Sequence, residues 1–311
     1  MRLIRGTADA PPGGCVLTIG SFDGLHVGHR ALIERALALG RQFGLPAAVL
    51  SFEPLPREYF RPQDPPPRLT NFRERWRALA GSELAALRLL RFDEALRNHS
   101  GPDFMTLLRR LGARHVVVGH DFRFAHDGEA SAEWCAQQGP KYGFAVDIVA
   151  PVRVAGERVS SGLVREALAG SDFRRAAQLL GRPYTMCGRV QHGAQLGRTL
   201  GFPTANLRLR RLRSPLGGIF AVRAHGAGLE AWPAVASLGT RPTVNGVEPL
   251  LEVHLFDFNR DLYGCELAVE FIAWLRDERR FDTLDALAVQ MNADAAKARL
   301  CLNAPAATAH T

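Results

Sequence analysis

Five cysteines stand in the sequence, and no two of them are close together. Cys15, Cys135, Cys187, Cys265 and Cys301 are odd in number and free of any CxxC arrangement, which argues against a disulfide framework and a cysteine-based zinc site. No apolar run reaches the roughly 20 residues of a membrane span. The start, Met1 to Gly6, is basic but lacks the continuous apolar stretch of a signal peptide. The expectation is a soluble, cytoplasmic protein with reduced thiols. Lysine is scarce too: only Lys141 and Lys297 occur among 39 basic side chains, so arginine carries nearly all of the +8 net charge. These arginines are spread rather than clustered. The densest run, Arg208 to Arg213, alternates with leucine as a partly solvated strand or turn does. The basic stripe of a nucleic-acid binder is therefore missing, and anionic small substrates account for the sign of the charge equally well. No segment repeats another.

At 311 residues and 47% hydrophobic content, the chain is too long for one ordinary core and rich enough for two. Its first half alternates short apolar runs with helix-like stretches, the pattern of a doubly wound parallel α/β sheet. Strands are expected at Val16 to Ile19, Ala47 to Phe52, Leu87 to Phe92, His115 to Val118 and Ala145 to Val149, with helices at His29 to Leu39, Phe72 to Ala80, Pro102 to Leu111 and Ala132 to Gln138. Ser100, Pro102 and Asp103 form a helix start. The proline-rich stretch Glu53 to Arg68 reads as a surface loop. A helix follows at Val164 to Leu180, broken by Gly181 and Pro183, where we place the domain boundary: 1–182 and 183–303, with a disordered tail at 304–311. Beyond the boundary, β-type segments at Met186 to Gln191, Gly218 to Arg223, Ala231 to Ser237, Leu250 to Phe256 and Glu266 to Trp274 suggest a small antiparallel barrel, closed by a helix at Leu284 to Leu300.

Two stretches carry chemistry. Gly20-Ser-Phe-Asp-Gly-Leu-His-Val-Gly-His29 follows the first expected strand and opens the first helix, where a sheet fold places its ligand crevice. Gly20, Gly24 and Gly28 let backbone approach a phosphate, and the helix start offers unpaired N–H groups. His26 and His29 fall on one side of that helix start and suit charge stabilisation at phosphorus. Later, Gly193, Gly197 and Gly201 precede Pro203, Thr204 and Asn206; no Gly-Lys-Ser/Thr follows, so this is not a Walker P-loop. Thr204 and Asn206 offer hard oxygens to Mg²⁺. In Leu250 to Phe256, alternation puts Glu252, His254 and Phe256 on one face, and Glu252 is a candidate general base. Plain alternatives exist: paired histidines and paired serines cap helices, glycines mark barrel turns, and a strand glutamate faces water.

GSFDGLHVGH, VSSGLVR, GRTLGFPTANL, SLGTRPTV, LEVHLFDF, DLYG and Arg276-Asp-Glu-Arg-Arg-Phe281 together, in that order from about Leu17 to about Arg299, resemble the prokaryotic bifunctional riboflavin kinase and FAD synthetase family. The resemblance implies an HxGH nucleotidylyltransferase module that adenylylates FMN, followed by a barrel that phosphorylates riboflavin with Mg-ATP. It implies that His26, His29, Ser160, Ser161 and Arg165, with Gly20, Phe22, Gly24 and Gly28, handle ATP in the first module. In the second it implies ATP on Gly193, Gly197, Arg198, Gly201, Pro203, Thr204 and Asn206, metal on Thr204 and Asn206, and Glu252 as kinase base. Pro54, Asp121, Phe124 and Arg276 are the implied flavin contacts. Riboflavin, FMN and ATP are the implied partners, with neither nucleic acid nor membrane. The sequence departs from the family pattern at Leu55, His120, Ala125 and Gly162, all in the first module. Two other readings fit parts of the chain: a riboflavin kinase whose adenylyltransferase module is degenerate, and an arginine-rich nucleic-acid-binding protein.

Overall fold

The computed structural model describes residues 1–7, 10–124, 128, 130–193, 197, 200–243 and 246–303. Contacts divide the chain into two units: Met1–Pro66 with Phe72–Ser161, and Pro67–Asn71 with the chain from Gly162 onward.

The first unit is built on a six-stranded parallel sheet in the spatial order Arg2–Arg5, Ala86–Arg91, Ala47–Glu53, Cys15–Ile19, Ala113–Gly119, Ala145–Val149. The central strands are near-continuous apolar runs because both faces are covered; one buried cluster gathers around Leu17, Leu50 and Phe104, the other around Val16, Val49 and Leu87. The chain winds outward in one direction from Cys15–Ile19 and later resumes on the other side with Ala113–Gly119. That reversal opens a crevice beyond the carboxyl ends of these two neighbouring strands. The expected strands and helices of this half are present within a few residues at each end, and Ser100 does cap its helix, accepting from the Asp103 N–H at 3.3 Å while Asp103 accepts from the Ser100 N–H at 3.0 Å. Arg2–Arg5, four residues on the sheet edge, was not foreseen.

Two expectations need correction here. Glu53 to Arg68 is not loop throughout: Pro56–Phe60 forms a short helix with proline at its first position, where the missing N–H is no loss, and the Leu55 N–H bonds the Glu58 carboxylate at 3.1 Å. The single helix over Val164 to Leu180 is two, Ser161–Ala169 and Phe173–Leu180. Ser171 turns the chain at φ 54°, and the Asp172 carboxylate caps the second helix.

The second unit holds a closed antiparallel barrel in the order Thr185–Gln191, Ala205–Arg208, Gly246–Leu255, Leu229–Thr243, Gly218–Gly226, Glu266–Arg276, the last pairing back to the first. Leu251, Val253 and Leu255 point inward and are buried, as alternation requires, while Glu252 and His254 face outward. Phe256 departs from that pattern. The strand ends at Leu255, Asp257 takes φ 54°, and Phe256 turns under the terminal helix Leu284–Asn303 with Leu275, Ala298 and Leu302. Ala205–Arg208, not among the expected strands, is a barrel strand. The run after it is partly solvated, as expected: Arg208, Arg210, Leu212 and Arg213 are exposed, whereas Leu209 and Arg211 are buried, and Arg211 donates to the carbonyl of Arg68 at 3.1 Å and to the Tyr184 hydroxyl at 3.2 Å. The expected tail at 304–311 lies outside the described residues.

Candidate active sites

In the first unit the loop after Cys15–Ile19 bends sharply, with Phe22 at φ 50°, Gly24 at φ 83° and Leu25 at φ 46°. Buried Phe22 plugs the loop and packs close to Gly20, where an added Cβ would lie a tight 3.3 Å from the ring. The loop delivers His26 as the cap of helix Val27–Phe43, its Nδ1 accepting from the His29 N–H at 3.2 Å. The two imidazoles stack with centroids 3.7 Å apart. His29 as a whole keeps partial exposure, but its Nδ1 is buried without a hydrogen-bond partner. Burial, then the neighbouring His26 and Arg75, hold its pKa well below the usual imidazole range, which favours the neutral ring. At Gly28 an added Cβ would lie 3.2 Å from the His26 ring, a tight contact that would press on the imidazole.

The serine segment joins this loop. Ser161, at the start of helix Ser161–Ala169, donates its hydroxyl to the carbonyl of buried Asp23 at 2.9 Å. Ser160 precedes it, and Arg165, one turn on, donates Nε to the Pro67 carbonyl at 2.6 Å; both Arg165 and Pro67 fall in the second unit. Sequence reasoning missed Arg75. Fully buried on helix Phe72–Ala80, it donates to the Ser21 carbonyl at 2.9 Å and pairs with Glu53 at 2.9 Å, bracing the loop from beneath. Pro54, next along, follows a cis peptide bond.

Of the other implied flavin contacts in this unit, Asp121 follows the end of Ala113–Gly119, at the crevice, and pairs with Arg158 at 3.1 Å. The departing residue His120 accepts from the same guanidinium at 3.2 Å. Phe124 stacks on core Phe104 of helix Gly101–Arg110 with centroids 3.3 Å apart, and so is anchored to the core. Leu55 is buried and Gly162 exposed, while Ala125 lies outside the described residues.

In the second unit Asn206 lies directly across from Glu252, and Glu252 across from Ser237. Opposed residues share a face of a sheet, so Asn206 and Glu252 are neighbours. The Asn206 Oδ1 is buried with no hydrogen-bond partner, and its Nδ2 turns back to the Thr204 carbonyl at 3.3 Å. Pro203 is held by its carbonyl, which takes a hydrogen bond from His254 Nδ1 at 2.9 Å. Two cavities meet at Thr204. One, of about 460 Å³, is lined by Gly197, Thr204, Glu252 and Arg276 together with Met291 and Asp294 of the terminal helix. The other, of about 640 Å³, is lined by Gly193, Pro203, Thr204, Asn206 and the loop bearing Arg260 and Tyr263. Gly201 takes φ 82°; Arg198 lies outside the described residues. Among the described residues no group of three His, Cys, Asp or Glu side chains could hold a metal. The orphaned Asn206 oxygen and the Thr204 hydroxyl do fit a hard divalent ion that keeps waters and takes most of its ligands from a nucleotide.

Residues 180–302 match the family model "Riboflavin kinase" and residues 9–163 the model "FAD synthetase". A bifunctional riboflavin kinase/FMN adenylyltransferase of Escherichia coli K12 is 43% identical over 304 residues, covering 96% of this chain and 97% of its own length. This chain belongs to the bifunctional riboflavin kinase/FMN adenylyltransferase family. Members from Pseudomonas fluorescens, at 44% identity with 99% of each chain covered, and Haemophilus influenzae, at 38% with 97% and 100% covered, carry the same description. A crystal structure from Streptococcus pneumoniae, titled as a macrolide-efflux protein, shares 31% identity and a TM-score of 0.78 over 96% of this chain and 99% of its own. Family membership thus rests on both halves of the chain. Among the described residues no helix is long and apolar enough to cross a membrane.

Proposed function

We propose that the chain makes flavin cofactors in two steps, with a kinase at 183–303 and an adenylyltransferase at 1–182. Riboflavin binds in the barrel cavity, and its 5′-hydroxyl attacks the γ-phosphorus of ATP. Glu252 accepts the proton, and FMN and ADP leave. Thr204 and Asn206 would hold a divalent ion, which we assign as Mg²⁺; when bound it screens the triphosphate charge. In the second step an FMN phosphate oxygen attacks the α-phosphorus of another ATP and pyrophosphate departs. His26 and His29 donate hydrogen bonds to the charge that builds on the α-phosphate, beside the N–H groups of the helix start. Ser160, Ser161 and Arg165 bind ATP, and Pro54, Asp121 and Phe124 face the flavin. We assign the activity to the cytoplasm, where ATP is supplied.

The observation that carries this reading is the pairing of Asn206, with its orphaned buried oxygen, against Glu252 in one unit, while the stacked His26 and His29 belong to the other. Chromatography of a reaction of the full-length protein with riboflavin, ATP and Mg²⁺ tests it. FMN followed by FAD is the expected outcome. Absence of both products refutes it, and FMN without FAD would select a kinase with a silent first module.

A further inference from the structure

We propose that Asp294, on the terminal helix, is a positioning residue for riboflavin phosphorylation: it fixes the Arg276 guanidinium as a flat, charge-compensated wall of the barrel cavity. The inference rests on the kinase reading above. Asp294 is a buried carboxylate with only 6% exposure. Its oxygens accept from Arg276 Nε at 2.9 and 3.1 Å and from Nη2 at 2.6 Å, while Nη1 donates to the Asp277 carbonyl at 2.7 Å. Gln290, one turn earlier on the helix, donates to Asp294 at 2.8 Å and accepts from Arg279. Arg276 and Arg279 in turn lie over the Phe281 ring, 5.9 and 4.7 Å from its centroid. Asp294 is thus the hub that ties residues 276–281 to the helix, and Arg276, Arg279, Phe281 and Asp294 line one cavity with Thr204 and Glu252.

The chemistry follows from that geometry. A fork-to-fork pair holds the guanidinium in one plane, so a ligand meets it already ordered. With Nε and both terminal nitrogens engaged, what Arg276 offers a ligand is chiefly its flat face, which stacks on aromatic rings. The carboxylate also cancels the cation, which suits a neutral, flat heteroaromatic ring rather than an anion. Asp294 is not a proton acceptor in the reaction; it acts through Arg276.

Wild type, Asp294→Asn, Arg276→Lys and the double variant are compared as full-length proteins. Asp294→Asn should raise the riboflavin KM about tenfold while kcat changes by less than about twofold, the signature of lost substrate binding. The double variant should be no worse than Arg276→Lys alone, because coupled residues are not additive. FAD formation from supplied FMN should be unchanged in all of them. Asp294→Glu keeps the carboxylate and should bring KM back to within about threefold of wild type. A fall in kcat at constant KM, additive losses in the double variant, a Glu variant as weak as the Asn variant, or FAD synthesis lost in step with the kinase would each overturn the role. Wild type that makes no FMN at all would instead sink the kinase reading itself.

Discussion

One hydrogen bond at the first site, from the Ser161 hydroxyl to the Asp23 carbonyl, links two segments 138 residues apart. Ser161→Ala removes about 1 kcal/mol of net hydrogen bonding there. FAD formation from FMN should fall while FMN formation from riboflavin persists, measured on the same preparation; equal rates of FAD formation in both proteins would contradict that link. His29 gives a pH-dependent consequence. Its folded pKa is depressed below the ordinary 6.5, chiefly by burial, so the unfolded chain binds the proton more readily than the folded one. Its contribution to stability is therefore complete above pH 6.5 and lost as pH falls through the folded value. Thermal melts from pH 8 down to pH 5 should show a smaller decline for His29→Asn than for wild type, and parallel declines would contradict it. At this scale legibility depended on sequence distance. His26 and His29 were readable because three residues at a helix start settle their geometry. Arg75 was not: its partners Ser21 and Glu53 are 54 and 22 positions away, and from the sequence it is one more arginine on a helix. Asp294, 18 positions from Arg276, escaped for the same reason.

Among elements, the strand Ala205–Arg208 is the one on which the proposed kinase site depends most, because it sets Asn206 opposite Glu252. It was invisible in the sequence. Four residues between a glycine-rich loop and an arginine run carry no period of their own, and only pairing with Thr185–Gln191 and Gly246–Leu255 makes them a strand. The longer strands were legible because two-residue alternation is written in their side chains, as in Leu251, Val253 and Leu255. Phe256 shows where that rule stops: a left-handed residue after it redirects the chain, and the terminal helix claims the ring. Pro56–Phe60 shows that proline forbids helix interiors but not helix starts. The strand's neighbour Gly193 supplies a test. A Cβ there would lie 2.6 Å from the Asn206 side chain, which must then move off its position opposite Glu252. Gly193→Ala should cut FMN formation at least about tenfold with a melting temperature within a few degrees of wild type, since the displaced group is a side chain and not backbone. Wild-type kinase activity in this variant would contradict the placement of Asn206.

For the whole molecule, a change in grammar between the halves was legible, but the limits of the two units were not: contacts place the chain from Gly162 onward, and not from 183, in the second. Pro67–Asn71 is embedded in the second unit, although the chain on either side of it belongs to the first. Leu69 is fully buried, its carbonyl accepts from the Tyr184 hydroxyl at 3.0 Å, and Asn71 donates to the Leu209 carbonyl at 2.9 Å. In the sequence these residues are the end of a proline-rich loop, and nothing local names their distant partners. The central claim at this scale is that two chemistries run on separate constellations, His26 with His29 and Glu252 with Asn206. It is tested most directly by product analysis of Glu252→Gln and His29→Ala full-length proteins supplied with ATP and Mg²⁺, first with riboflavin and then with FMN. Glu252→Gln should make no FMN from riboflavin yet make FAD from FMN, and His29→Ala should accumulate FMN and make little FAD from either substrate. Loss of both activities together in either variant would contradict two separate sites.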